Sequence, residues 1–174
     1  MEKPRYIAIA AITADGKIAR NKEHMSDWTS KEDKDFMRAK LKECDAIIVG
    51  NNTYKTAIKP LSKRNCVVFT RSVQEPKQEN ENCCYINPEI TDAKAYAEEK
   101  GYKTIAILGG AATYNYCLAH DMTDELYLTI EPIIFGEGID IFTTGDEDVH
   151  LTLQSSKQLN KKGAVLLHYT VDRP

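Results

Sequence analysis

The sequence predicts an α/β fold: a single mixed, mostly parallel sheet flanked by helices, with a C-terminal antiparallel hairpin. Three observations predict it. Continuous apolar runs of strand length recur at 6–12, 44–50, 65–70 and 104–108, as expected of strands buried on both faces. Helix-like segments separate them, and this alternation implies parallel strands with helical crossovers. The last segments, 149–154 and 165–171, alternate and are joined across Asn160-Lys161-Lys162-Gly163, which reads as a hairpin.

Taken in order, 6–12 is the first strand. A helix over about 30–43 follows, and 44–50 is the second strand. Residues 65–70 form a third. Residues 76–82 are polar and show no core pattern, so they read as loop. Residues 83–86 suit a short strand, and 92–101 a helix stopped at Gly101. Strand 104–108 runs into Gly109-Gly110, helix 111–119 comes next, and 125–130 is a further strand. No repeat or low-complexity linker divides the chain, so residues 1–174 are expected to form one domain.

The helix near residue 30 carries the most informative side chain. Thr29 with Glu32, or Ser30 with Asp33, reads as a capping box. At the helical period Asp33 shares a stripe with Phe36, Met37, Leu41 and Cys44, while Lys31, Lys34, Asp35 and Arg38 mostly point elsewhere. A carboxylate on an apolar face is costly unless it has a partner or a task. Burial would raise its pKa and suit it to proton chemistry or a cationic ligand. A surface cap that favours the helix dipole is the plainer role for Asp33. This segment alone leaves both open.

Bulk properties exclude several classes. The chain has 174 residues, 23 Lys and Arg against 26 Asp and Glu, and a net charge of −3. That balance argues against a nucleic-acid partner, which needs a clustered basic face. No apolar stretch reaches membrane-spanning length and no signal peptide is evident. The five cysteines, Cys44, Cys66, Cys83, Cys84 and Cys117, are odd in number and lack CxxC spacing, against both a disulfide scaffold and a zinc site. A reducing, cytoplasmic compartment is expected. His24, His120, His150 and His168 are scattered, and no metal site is expected.

Two strands end in signals of close backbone approach. Val49-Gly50-Asn51-Asn52-Thr53 closes one, and Leu108-Gly109-Gly110-Ala111-Ala112-Thr113-Tyr114 closes another and opens a helix. Glycine admits close contact, and a helix N-terminus offers N–H groups to a phosphate. Each alone is also consistent with a tight turn and no ligand. Together with Thr70-Arg71-Ser72, where Arg71 supplies a charged fork and the hydroxyls donate, they point to a nucleotide in the crevice beyond the strand ends.

In order and spacing these residues resemble the dihydrofolate reductase family, over nearly the whole chain. Ile9-Ala10-Ala11 followed by Asp15-Gly16-Lys17-Ile18-Ala19 resembles its first strand and the start of its mobile loop. Trp28 with Asp33 resembles its tryptophan and catalytic acid. Val49-Gly50 with Thr53-Tyr54, Leu108-Gly109-Gly110 through Tyr114, and Leu126-Tyr127-Leu128-Thr129 resemble its strand-end glycine, its Gly-Gly turn and its threonine strand. The resemblance implies NADPH-dependent reduction of 7,8-dihydrofolate to tetrahydrofolate. It implies catalytic roles for Asp33, Thr129 and Trp28, and a substrate pocket of Ala11, Phe36, Met37, Lys63, Arg64 and Tyr114. It places NADPH on Ala11, Ile18, Gly50, Asn51, Thr53, Thr70, Arg71, Ser72, Leu108, Gly109, Gly110, Ala111, Ala112 and Thr113, with residues 16–27 as a lid. The implied partner is a small-molecule substrate bound by a monomer or homodimer.

The chain is also similar to the riboflavin-pathway pyrimidine reductases, through Asp15 to Ala19, Asp124-Glu125-Leu126, Pro132 and Phe135-Gly136-Glu137-Gly138. An acid at position 33 is what that resemblance lacks. Two departures from the folate family stand out. Asn51 occupies the place of an arginine used for the cofactor's extra phosphate, leaving Arg71 as the substitute. Lys63, with Arg64 beside it, occupies the place of the arginine that grips the folate carboxylate, and lysine lacks the bidentate fork. The rival readings are therefore a reductase of a phosphoribosylamino-pyrimidine and a non-catalytic nucleotide-binding domain.

Overall fold

The structure is a computed structural model that describes residues 3–173 apart from 25, 144 and 146. Its elements run β1 (Arg5–Thr13), β2 (Lys17–Ala19), a 3-10 turn (Ser26–Trp28), α1 (Lys31–Leu41), β3 (Ala46–Gly50), α2 (Asn51–Thr56) and α3 (Ile58–Leu61). They continue with β4 (Asn65–Phe69), β5 (Lys77–Asn80), β6 (Cys83–Ile86), α4 (Ala93–Glu99), β7 (Thr104–Ile107), α5 (Ala111–Ala119), β8 (Glu125–Glu131), β9 (Ile139–Asp140), β10 (Leu151–Gln158) and β11 (Val165–Val171).

Nine strands form one sheet in the order β10-β11-β8-β1-β7-β3-β4-β6-β5. The central pairs, β8 with β1, β1 with β7, β7 with β3, β3 with β4 and β4 with β6, are parallel. The outer pairs β8 with β11, β11 with β10 and β6 with β5 are antiparallel. The predicted class and the closing hairpin are therefore present. The parallel centre sends the C-terminal ends of β1, β3, β4, β7 and β8 to one edge, which is where the site lies.

The apolar runs follow from burial on both faces. Tyr6, Ala8, Ala10 and Ile12 of β1 enter the core that receives Ala93 and Ala97 of α4 and Tyr114 and Cys117 of α5. Ile7 and Ile9 enter the opposite core with Leu41 of α1, Tyr54 and Leu61. Each fully buried Ile or Leu contributes roughly 1.5–3 kcal/mol. The opening of α1 is the expected cap: the Ser30 hydroxyl accepts from the Asp33 backbone N–H at 3.2 Å.

Four local expectations are corrected. Residues 77–80, read as loop, form the edge strand β5. All four are exposed, so backbone pairing to β6 holds them and no side-chain pattern could reveal it. Helices α2 and α3 were not expected. They are four to six residues long, and Tyr54 and Leu61 are their only buried side chains, which is too little to show a period. The first hairpin strand runs 151–158 rather than 149–154. It is exposed throughout, so alternation carries no information there. A second small sheet pairs β2 with β9 across 120 residues of chain, a contact no local pattern signals.

Candidate functional site

The first half of the site is backbone. Gly50 ends β3 and caps α2, and Gly110 follows β7 and caps α5. The Gly50 N–H donates to the Gly109 carbonyl at 2.6 Å, and the Leu108 N–H to the Ile48 carbonyl at 3.0 Å, so the two strand ends are tied together. The Gly109–Gly110 peptide is cis and Gly109 has φ +91°. A Cβ on Gly109 would lie 2.7 Å from the Tyr114 ring, and one on Gly50 would lie 2.8 Å from the Thr113 hydroxyl. A Cβ on Gly110 would reach Thr53 Oγ1 at 3.4 Å. The glycines thus make a shallow cradle with the open N–H groups of the α5 start, at Ala111 and Ala112, above it. A pyrophosphate fits such a surface, because the donors are fixed and the helix end is positive. Asn51 sits at the first position of α2 with a buried Oδ1 that accepts no hydrogen bond from any protein group among the described residues.

Thr70, Arg71 and Ser72 extend this half beyond β4. The Ser72 N–H donates to the Thr70 hydroxyl at 3.2 Å, and the two hydroxyls lie 2.9 Å apart. Arg71 is exposed and lies 3.4 Å from the Glu89 carboxylate. Its guanidinium is reachable by an incoming phosphate that outcompetes Glu89.

The second half is made of side chains. Asp33 is 8% exposed, as expected of the apolar stripe, and is not a surface cap. Burial raises its pKa above the ordinary carboxylate value. The Thr129 hydroxyl, the Thr29 hydroxyl and the Lys34 charge oppose that shift, while the Glu131 carboxylate adds to it. Thr129 is buried on β8 opposite Ala11 of β1. Phe36 packs on Tyr127 with ring centroids 5.5 Å apart, and Met37 packs against the same core. Tyr114 is buried and donates to the Ile9 carbonyl of β1 at 2.6 Å. Burial pushes its phenol up, and the nearby Asp33 charge adds to this, so Tyr114 stands between the two halves as a neutral hydroxyl.

The segment read as a lid is anchored at its start. Thr13 donates to Asp15 at 2.6 Å, and Asp15 also accepts from the N–H groups of Phe135 and Gly136. These bonds, the Thr13 hydroxyl first, hold the Asp15 carboxyl down at about 2. Ile18 lies on β2 and packs against the core. Further on, Trp28, His24 and Arg20 gather on Phe135: the Trp28 and His24 rings lie 5.0 and 5.6 Å from it, and the Arg20 guanidinium 4.0 Å. The Trp28 indole N–H is buried and no protein group among the described residues accepts it.

Two expected residues are not brought in. Lys63 and Arg64 precede β4, at the end of the sheet away from Asp33. Arg64 donates to the Leu41 carbonyl at 2.7 Å, capping the far end of α1, and Lys63 is exposed. Asp33 and Leu41 are eight residues apart, about 12 Å along a helix, so only a long ligand could touch both regions. Sequence reasoning also missed Glu131, and it quoted Phe135 only within a motif, with no site role. Glu131 is 4% exposed and sits two residues beyond Thr129 on the same face of β8. The period of two was the available signal.

Among the described residues no cluster of His, Cys, Asp or Glu is placed to hold a metal, and no helix is long and apolar enough to cross a membrane. The family model for dihydrofolate reductase matches residues 5–167, and the chain belongs to that family. The Bacillus subtilis protein YwjB is 29% identical, over 97% of this chain and 98% of that one. A pyrimidine reductase-like protein from Corynebacterium diphtheriae superposes with a TM-score of 0.79, at 17% identity, covering 98% of this chain and 93% of its own. Dihydrofolate reductase from Enterococcus faecalis superposes with a TM-score of 0.66, at 22% identity, covering 97% of each chain. These two likenesses establish the shared fold.

Proposed function

We propose that this member of the dihydrofolate reductase family reduces 7,8-dihydrofolate to tetrahydrofolate with NADPH, Asp33 being the acid that holds the pterin. The observation that carries this reading is the burial of Asp33 against Thr129 on an otherwise apolar helix face. A carboxylate there costs stability, and an amidine-like ring edge is the kind of ligand that offsets it. Bound NADPH supplies the hydride. Asp33 accepts hydrogen bonds from the pterin edge and raises the basicity of the ring. The nitrogen adjacent to the reduced carbon would then take a proton from solvent, so that hydride and proton together would reduce one C=N bond. Thr129 orients the carboxylate. Phe36 and Met37 exclude water and so strengthen these contacts. Trp28 offers its indole N–H to the ligand side. The glycine cradle with Thr53, Ala111, Ala112 and Thr113 seats the pyrophosphate, Leu108 lines its approach, and Arg71 with Thr70 and Ser72 takes the phosphate that distinguishes NADPH. A reducing cytoplasm and a monomer or homodimer accord with this reading.

A second substrate, a phosphoribosylamino-pyrimidine, is favoured by one observation. The Arg64 guanidinium donates through one nitrogen to the Leu41 carbonyl at the far end of α1, and Lys63 beside it offers only a point charge to a folate carboxylate. A phosphoribosyl substrate carries no folate carboxylate and so calls on neither residue. Oxidation of NADPH with dihydrofolate, followed by nicotinamide absorbance with and without methotrexate, decides between them. Antifolate-sensitive turnover supports the folate reading. Binding of NADPH without turnover of dihydrofolate rejects it and moves the substrate to the pyrimidine.

A further inference from the structure

Thr13 and Glu131 are register partners, the last residues of β1 and β8, and both are buried polar side chains. Each reaches beyond the sheet to a loop. Thr13 holds the start of the lid, through Asp15 and the Lys17 N–H at 2.9 Å. Glu131 accepts from the backbone N–H of Ser30 at 2.7 Å, across 101 residues of chain. Ser30 is the N-cap of α1, and its own hydroxyl accepts from the Asp33 N–H. One chain of bonds therefore runs from the end of β8, through the cap, to the backbone of Asp33. The residues just before the cap carry Trp28.

A buried glutamate is a costly way to satisfy one backbone N–H, since a serine or asparagine could do it without a charge. The cost has a counterpart nearby. Asp33 faces Glu131 from β8, Thr129 from the same strand, Tyr114 from α5, and Lys34 and Thr29 from its own segment. Of these, Glu131 is the one other carboxylate; its bond to the Ser30 N–H, the residue that also caps the Asp33 N–H, sets it at the same first turn of α1, where it disfavours a second negative charge.

We propose that Glu131 is a positioning residue for the Asp33 site: its buried carboxylate clamps the Ser30 cap to the end of β8, fixing the first turn of α1 and the Trp28 approach, and it holds a like charge beside Asp33. This rests on Asp33 being the substrate-binding acid only for its consequence in turnover. The clamp itself is a property of the ligand-free protein, and the test is arranged accordingly.

Two variants separate the roles. Glu131→Gln keeps an oxygen for the Ser30 N–H and removes the charge. Glu131→Ala removes both. In the ligand-free protein, carboxyl-carbon NMR follows the Asp33 titration and amide exchange follows residues 30–33. Glu131→Gln is expected to keep amide protection and shift the Asp33 midpoint downward. Glu131→Ala is expected to lose protection at these amides by roughly five- to tenfold, the effect of one net hydrogen bond, and Glu131→Gln restores it. In turnover, the acid limb of the kcat profile moves to lower pH in Glu131→Gln, with KM for the cofactor unchanged. An unchanged Asp33 midpoint in Glu131→Gln overturns the electrostatic role. Unchanged protection in Glu131→Ala overturns the clamp. If Glu131→Ala does not fold, the Glu131→Gln titration alone decides, since a merely structural glutamate would leave the Asp33 midpoint where it was.

Discussion

At the ends of β3 and β7 the site is made of backbone, and at the ends of β1 and β8 it is made of side chains. In the proposed reading the glycine cradle recognises its ligand through N–H groups and close approach, with geometry fixed by the tie between Gly50 and Gly109. The carboxylate half is proposed to recognise through Asp33, Thr129 and their buried neighbours, drawn from three elements. The difference separates two kinds of specificity. A backbone cradle of this kind does not distinguish among ligands that carry a pyrophosphate. A buried carboxylate selects one ring edge, because a ligand without donors leaves it unpaired. Cofactor binding and substrate choice should therefore fail independently.

The largest effect expected on the backbone half comes from Gly109→Ala. A side chain at φ +91° is strained by roughly 1–2 kcal/mol, and its Cβ would also displace the Tyr114 ring. Most NADPH binding should be lost by calorimetric titration. Gly50→Ala should cost less, since its φ of −70° suits any residue and the contact is a hydroxyl. Thr113→Ser in the same chain, whose hydroxyl can swing aside, should restore part of the loss. Equal damage from both glycine variants would break the distinction between strain and contact.

A smaller effect is expected of Arg71→Ala. Loss of one exposed cation at the extra phosphate should weaken NADPH by about tenfold, or about 1.4 kcal/mol, and leave NADH unchanged. Equal weakening of both cofactors would place Arg71 elsewhere in the site.

The smallest effect is on stability, and its sign is opposite to most substitutions. The folded-state pKa of Asp33 lies above its ordinary value of 3.8 because of burial. The protonated form therefore favours the fold, and this stabilisation is complete below pH 3.8 and lost as pH rises through the raised value. At neutral pH the buried charge costs stability. Asp33→Asn should raise Tm near neutral pH, and the gain should fade in acid. Asp15, held at about 2 mainly by the Thr13 hydroxyl, behaves in the reverse sense: its contribution is present above 3.8 and lost as pH falls toward 2. A lower Tm for Asp33→Asn at neutral pH would mean that the carboxylate is a structural partner rather than a site held at a cost.

The same contrast explains what was legible in the sequence. Glycine advertises backbone geometry, so Gly50, Gly109 and Gly110 were found from their places at strand ends. Asp33 was found because helical period put it on an apolar stripe. The sheet class was legible because strands covered on both faces must be apolar throughout. Glu131 was not found, since its role comes from a bond to Ser30 made only when β8 and α1 meet. Strand β5 and the β2–β9 pair escaped for a related reason: backbone pairing between distant segments leaves no mark on side-chain pattern. Lys63 and Arg64 were matched by position along the chain, and the Arg64 bond to the Leu41 carbonyl is visible only in three dimensions.

The most direct test of the account is Asp33→Asn assayed for both halves at once, with NADPH affinity by titration and dihydrofolate turnover near neutral pH. The account predicts unchanged NADPH affinity with turnover reduced by roughly 100- to 10,000-fold, the range for a lost acid–base group. Full turnover in a folded, NADPH-binding Asp33→Asn protein would contradict it.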